Sequence, residues 1–496
     1  MSNSKPSSDL FFLIKSMNQD DEMYFYRYTN QRHISERDNF VALFKLIKAQ
    51  PAYDEKKLQA ALKDRTWAKR LTYSKNELIQ YIYDSLVANS SNLTANSEIY
   101  YLLELAELLR KKSLYKQALK KLTRAREIAE QYQKYYSLLE ILEAQRKWTK
   151  EVANTDHQKE LDALALEKDK TIELIKCEDY FNRLNDRAYL LYRQLNVARE
   201  EKKLAELETI IQTPGLQNEA SALTFDSKLK FHSIHAHYHQ LKGDFNTALA
   251  CREKIVNLWD DNPHQIAEMP QRYRSELANL LTLRHFNGNY HGFEELITRI
   301  EGVKKGSLEE DAFSFRQVYP LKQLYLLNNG KVKQAYELLP EITKGLELYS
   351  ELINSVKLHS FWYNNAITCL LAAKYSEALP WVNNILNPGI DKKVRTDLRD
   401  FVSILEIILH YETGKYQLVE SKLHNVRKRL NYKNKLYNFE QVVLRNLSAL
   451  IKAQNTKPEM DKAIQQFIRE LHQLELSAGK EKLTGLEEIT IWIKSK

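Results

Sequence analysis

Between residues 99 and 211 apolar positions recur at a spacing near 3.6, the period of an amphipathic helix. In YYLLELAELLRKKSLYKQALKKLTRAREIAEQY, Leu102, Leu105 and Leu109 mark one apolar stripe, and Leu119, Leu122 and Ile128 mark another. The short break KKSLY between them predicts two helices joined by a tight turn, a helical hairpin. The first 95 residues predict five shorter helices, over 7–17, 20–31, 38–49, 54–63 and 74–88. Pro51 marks a helix stop and Asp54 an N-cap. SSNLTANSE, 90–98, reads as a linker. At the other end, Pro458–Lys496 predicts two helices, and LEEITIWIK brings Ile489, Trp492 and Ile493 together as a cap for the last exposed helical face.

The hairpin turn has a signature that recurs. It reads LYKQAL at 114–119, GDFNTAL at 243–249, GNYHGF at 288–293, GKVKQAY at 330–336, KYSEAL at 374–379 and GKYQLV at 414–419. An aromatic or aliphatic residue stands at 115, 245, 290, 332, 375 and 416, and the last four intervals are 45, 42, 43 and 41 residues. The first interval, 130 residues, predicts about three further units of that size. Ala118, Ala248, Ala335 and Ala378, three positions later, let paired helices approach closely. Such a period marks a helical repeat array whose hairpins bury their apolar faces on one another. The expected fold is all-α, a right-handed α-solenoid with a period of about 42 residues and a small helical N-terminal domain. The expected division is 1–95 for that domain, 96–456 for the array and 457–496 for capping helices.

The stretch WYNNAITCLLAAKYSEAL, 362–379, resembles a tetratricopeptide repeat. Trp362, Ala366, Tyr375 and Ala378 occupy that family's Trp, small, aromatic and alanine places, and Pro388 falls near its closing proline. Asn365 stands where the family has leucine and Ala373 where it has glycine. The spacing also exceeds the family's usual period of about 34, which implies longer helices. The likeness covers roughly residues 99–450 and extends to uncharacterised bacterial repeat proteins of this size, which brings no known activity. In that family the first helix of each hairpin lines a concave groove. The resemblance therefore nominates Asn279, Tyr363 and Asn364 as groove residues that hold an extended peptide, the asparagines offering donor and acceptor together.

Composition narrows the function. Glycine numbers only 12, with none before Gly215, and no GxGxxG, GxxxxGK[ST] or GxSxG occurs, so no phosphate loop or nucleophile elbow is expected. The acidic pair Glu309–Glu310 reads as surface loop. The expectation is a non-enzyme without cofactor or metal that binds a protein or peptide. HSIHAHYH, 232–239, sets His235 and His239 at a spacing that suits a metal, yet its neighbours Phe231, Ile234, Tyr238 and Leu241 equally suit a polar strip beside a core.

The net charge of +9 admits a second reading, a regulator that touches nucleic acid. Its carriers are two acid-free runs, 110–126 with eight basic residues and 422–435 with six, the latter containing Arg427, Lys428 and Arg429 beside Tyr432, Tyr437 and Phe439. The N-terminal 95 residues hold 14 basic and 11 acidic residues, a weak field for DNA. Cys177, Cys251 and Cys369 form no CxxC or metal spacing, so free thiols in a reducing compartment are expected. The apolar run Leu10–Ile14 is too short for a signal-peptide core, and no run approaches 18 apolar residues, so the expected location is cytoplasmic, away from membranes.

Overall fold

The computed structural model describes residues 9–31, 37–51, 53–62, 70–90, 94–151, 157–195, 201–303, 306–386, 396–432, 438–454, 456–478 and 485–496. Pro388, Tyr437 and the middle of the expected linker lie outside the described residues. Regular structure among the described residues is entirely helical. The chain forms two compact units, Met1–Asp311 and Ala312–Lys496, divided within the helix Leu308–Asn328.

The first unit opens with the five expected helices, Asp9–Ser16, Gln19–Gln31, Arg37–Lys48, Glu55–Ala61 and Leu71–Ser90. Asp54 caps the fourth, its Oδ1 accepting the Lys57 amide at 3.0 Å. These helices enclose a core of their own around Phe25, Phe40, Leu43, Phe44, Leu78 and Ile82, with Phe25 stacked on Phe44 at 4.9 Å.

Beyond residue 94 the recurring signature has a single local cause. Ser113, Gly243, Gly288, Gly330, Ala373 and Gly414 all take a left-handed backbone, with φ between 56° and 81°. Each ends a helix in a Schellman turn. At the first, the Ser113 amide donates to Arg110 O at 2.8 Å and the Leu114 amide to Leu109 O at 3.0 Å. The same pair closes the fifth, from Ala373 to Leu370 O at 3.0 Å and from Lys374 to Cys369 O at 2.8 Å. The aromatic or aliphatic residue then begins the next helix at Tyr115, Phe245, Val332, Tyr375 and Tyr416. One turn later Ala118, Ala248, Ala335, Ala378 and Val419 are fully buried against the preceding helix.

Three places differ from expectation. After Gly288 the chain makes a second left-handed turn at Gly292, so the helix starts at Phe293 rather than Tyr290, and Phe293 takes the buried place. A seventh turn of the same kind, at Gln133, joins Tyr115–Gln131 to Tyr135–Thr149. The sequence hides it because glutamine rarely takes this conformation. Between this turn and Gly243 the expected three hairpins are replaced, among the described residues, by the 39-residue helix His157–Leu195 and the helix Glu201–Ile211. The long helix serves two cores. Leu164 packs with Ile141 and Leu142, and Phe181, Ala188 and Leu191 pack with Phe231, Ile234 and Tyr238.

In the second unit the helices Ser355–Leu371, Tyr375–Leu386, Thr396–Glu412, Tyr416–Tyr432, Asn438–Ala453 and Lys457–Ala478 each pack on the next around one apolar core. The last helix, Leu486–Lys494, does more than cover the end of that row. It packs on Lys457–Ala478 and returns to Ser355–Leu371.

The left-handed turns carry a measurable cost where a side chain is present. Ala373→Gly should stabilise the second unit by about 0.5–1 kcal/mol, and Gly414→Ala should destabilise it by about 1 kcal/mol, both read from urea unfolding at unchanged m.

Candidate functional site

A polar concavity lies in the first unit. It has a volume of about 250 Å³ and is walled by four helices, His157–Leu195, Phe225–Lys242, Phe245–Asp260 and Pro270–Phe286. The recurring turn sets two of these walls against each other, because Gly243 and the buried Ala248 bring Phe225–Lys242 and Phe245–Asp260 together. The capping box of Thr224 and Ser227 starts the first of them.

The floor of the cavity is a saturated chain of hydrogen bonds. Arg252, 6% exposed, donates from Nη1 to Glu276 Oε2 at 3.2 Å and from Nη2 to His237 Nδ1 at 3.3 Å. With Nδ1 accepting, a neutral His237 carries its proton on Nε2, 3.4 Å from Ser233 Oγ. Burial, reinforced by the neighbouring Arg252 charge, pushes the His237 pKa well below the usual imidazole range, so the ring is neutral at pH 7. Tyr192 stacks on the ring at 4.3 Å, and its own pKa is raised by burial.

The rim is different. Tyr189 is 45% exposed at the mouth. Asn279 is exposed, and its Nδ2 donates to Glu276 Oε2 at 3.3 Å. Asn185 adds an amide and Thr282 a hydroxyl. The site therefore offers donors, acceptors and an aromatic face above a neutral Arg–Glu–His floor. That chemistry suits a polar, uncharged group of side-chain size.

Of the three nominated groove residues, only Asn279 reaches this cavity. Asn364 occupies the matching place in its own helix but is buried, and its Nδ2 donates to Pro320 O at 3.3 Å. The nomination of Asn364 is therefore corrected. Its helix is pressed against Leu308–Asn328, and a buried amide must find a partner there. The neighbouring Asn365 and Thr368, fully buried, receive hydrogen bonds from Gln323 Nε2 at 3.1 and 2.9 Å. Tyr363 is half-buried and donates from its hydroxyl to Glu488 Oε1 at 2.8 Å, so the C-terminal helix covers it. Spacing alone pointed to none of Arg252, His237, Tyr189 and Tyr192, because their common wall is made by helices far apart in the chain.

The two basic runs separate. In the first, Arg110 pairs with Glu107, Arg124 with Glu98 and Glu127, and Arg126 with Glu130 and Glu167. Folding thus brings acids to a run that has none of its own. In the second, Arg427, Lys428 and Arg429 are all exposed. Arg429 donates to Ser403 Oγ at 2.6 Å, while Arg427 and Lys428 have no ion pair among the described residues. Lys433 and Lys435 lie outside the described residues.

The histidine strip is divided among separate partners. His232 meets Glu219 at 3.1 Å, His235 meets Leu216 O at 3.0 Å, and His239 meets Asp244 at 3.1 Å. No group of three or more His, Cys, Asp or Glu suited to a metal occurs among the described residues. Glu310 is not in a loop. It lies in the first turn of Leu308–Asn328, buried, and accepts the Gly306 amide at 2.6 Å. Burial raises the Cys251 thiol and pushes Cys369 up to about 12, which leaves both in the protonated, unreactive form. No helix among the described residues is long and apolar enough to cross a membrane.

No family model, curated protein or solved structure matches the chain.

The neutral histidines set a pH dependence. His232, His235 and His237 all have folded-state pKa values lowered by burial, whereas in the unfolded chain they protonate near 6.5. Their contribution to stability is complete above about pH 6.5 and is lost as pH falls below it. The urea midpoint should therefore drop between pH 7.5 and 5.5. His237→Gln, whose carbonyl can still accept from Arg252, should show a smaller drop.

Proposed function

We propose that the chain is a non-enzymatic scaffold that binds a protein or peptide, built as a tetratricopeptide-like α-solenoid. In this reading an extended segment of the partner crosses the first unit, and one of its polar side chains enters the cavity between Tyr189, Asn185 and Asn279. The observation that carries the reading is the contrast between floor and rim. The Arg252–His237–Glu276 floor is hydrogen-bonded within itself. The rim exposes an aromatic face and amide groups with bonding capacity to spare. Pre-organised sites of this kind bind by adding contacts without reorganising the protein. Stacked hairpins supply a large surface on which further residues of the segment rest.

A second reading is favoured by Arg427 and Lys428, which stand exposed with no acidic partner among the described residues. In it this patch holds nucleic acid by neutralising phosphates while the array senses a peptide.

One experiment separates the two. The tagged full-length protein is captured from its own cells with and without nuclease, and retained proteins are identified by mass spectrometry. The scaffold reading expects one or a few partners that survive nuclease and are retained at least tenfold less by Tyr189→Ala or Asn279→Ala, with helicity unchanged. Loss of every partner on nuclease treatment, with a steep decline in salt and on Arg427→Ala plus Lys428→Ala, overturns it in favour of the second reading.

A further inference from the structure

The tetrapeptide Glu-x-Leu-Pro stands at 337–340 and again at 377–380. In the second unit the two copies meet in one open groove of about 630 Å³. Its walls come from the helices Val332–Glu337, Leu339–Tyr349 and Tyr375–Leu386, and the buried Cys369 of Ser355–Leu371 belongs to its lining. Half-buried Tyr336 and Trp381, buried Leu339 and the exposed rings of Pro340 and Pro380 make that lining mostly apolar. Proline has no N–H, so the backbone offers no donor at either ring.

The charged residues of the lining are both acidic. Glu337 and Glu377 are exposed, and neither forms an ion pair among the described residues. Glu377 Oε2 accepts the Tyr336 hydroxyl at 2.7 Å, which holds that carboxylate beside an aromatic ring. Burial, and after it the Glu377 charge, raises the Cys369 thiol, so the carboxylate also acts on the buried part of the lining. Glu337 accepts no side-chain hydrogen bond among the described residues. Lys374 Nζ stands 6.0 Å from the Tyr336 ring centroid yet pairs with neither carboxylate, so the ring beside Glu377 already draws an ammonium while both acids keep their charge. An aromatic and proline-lined groove with carboxylates fits a ligand that joins an apolar body to a cation. The volume exceeds that of one side chain, so a basic residue and its apolar neighbours enter together. Aromatic-lined grooves take extended segments in this way.

We infer that this groove docks an extended basic segment of a partner protein. An arginine of the segment meets Glu337 and Glu377, and the apolar residues beside it rest on Trp381, Pro340 and Pro380. Arginine suits the place because its planar, weakly hydrated guanidinium both stacks on a ring and pairs with a carboxylate. The groove lies wholly in the second unit and is tested apart from the cavity in the first.

The probe is a library of random octapeptides passed over the immobilised full-length protein, with the retained peptides sequenced. The chain carries a net charge of +9, so retention of basic peptides requires a local acidic site. Arginine beside proline or another apolar residue should be enriched at least fivefold. Glu337→Gln combined with Glu377→Gln should abolish that enrichment with helicity unchanged, since both positions are exposed and a glutamine at 377 still accepts from Tyr336. Trp381→Ala should remove the preference for the apolar neighbour and keep the preference for arginine. A selected peptide should bind several-fold more weakly at high salt. Asn279→Ala, in the first unit, should change none of this. A retained set without arginine, or an arginine preference that survives the double glutamine variant, overturns the inference. So does loss of the selected peptides on Asn279→Ala alone, which would assign them to the first-unit cavity.

Discussion

The left-handed residue that ends a helix is the constraint on which most of this structure depends. A helix leaves its last carbonyls without partners, and the Schellman turn returns two amides to them while reversing the chain. Everywhere but at Gly288 the reversal is followed within two residues by the next helix, so the two helices leave the turn already side by side. The small or aliphatic residue three positions into the second helix sets the distance of approach. Ala118, Ala248, Ala335 and Ala378 are fully buried for this reason. Where glycine is absent, as at Ser113, Gln133 and Ala373, the turn persists because packing on both sides over-determines it.

Between the hairpins, polar groups inside the protein decide how neighbouring helices are matched. In the first unit Arg252 joins Phe245–Asp260 to Phe225–Lys242 through His237 and to Pro270–Phe286 through Glu276. In the second, Gln323 reaches Asn365 and Thr368, and Asn364 reaches the Pro320 carbonyl. Each such bond is modest in net free energy, but a slipped register would leave further buried donors and acceptors unpaired beyond Gln323 Oε1 and Asn365 Nδ2, which costs more than the bonds contribute. These networks therefore specify one arrangement of otherwise interchangeable apolar faces. In the first unit the same network forms the floor of the candidate site, so the groups that align the helices also shape the pocket.

Local signals were legible and distant ones were not. The five N-terminal helices and the Asp54 cap follow from apolar period and capping chemistry within a few residues. The hairpin turns follow from glycine or a small residue before an aromatic. The turn at Gln133 escaped because its residue type does not advertise the conformation. The helix His157–Leu195 escaped because a 42-residue rhythm was extended across a stretch with no turn signature. Asn279 and Asn364 show the limit most clearly. They hold the same place relative to their turns, yet one is exposed at the cavity rim and the other is buried against Pro320. Likewise the acid-free run 110–126 reads as a basic patch until Glu98 and Glu167 are brought beside it.

The sequence by itself determined the class of structure: helices joined by tight left-handed turns, with no strand among the described residues and no phosphate-loop motif, rich enough in apolar stripes to require packing of helix on helix. Periodicity, caps and turns act over a few residues, so the linear order contains them completely. Only the tertiary structure decided which face of each helix met a neighbour and which met water. It brought acids to the arginines of one basic run, left Arg427 and Lys428 of the other without an ion pair among the described residues, divided four histidines among separate partners, and gathered residues from four helices around one cavity. It also laid the last helix over Tyr363. Those outcomes depend on contacts between segments tens to hundreds of residues apart, which are set by the balance of burial and hydrogen bonding across the whole fold.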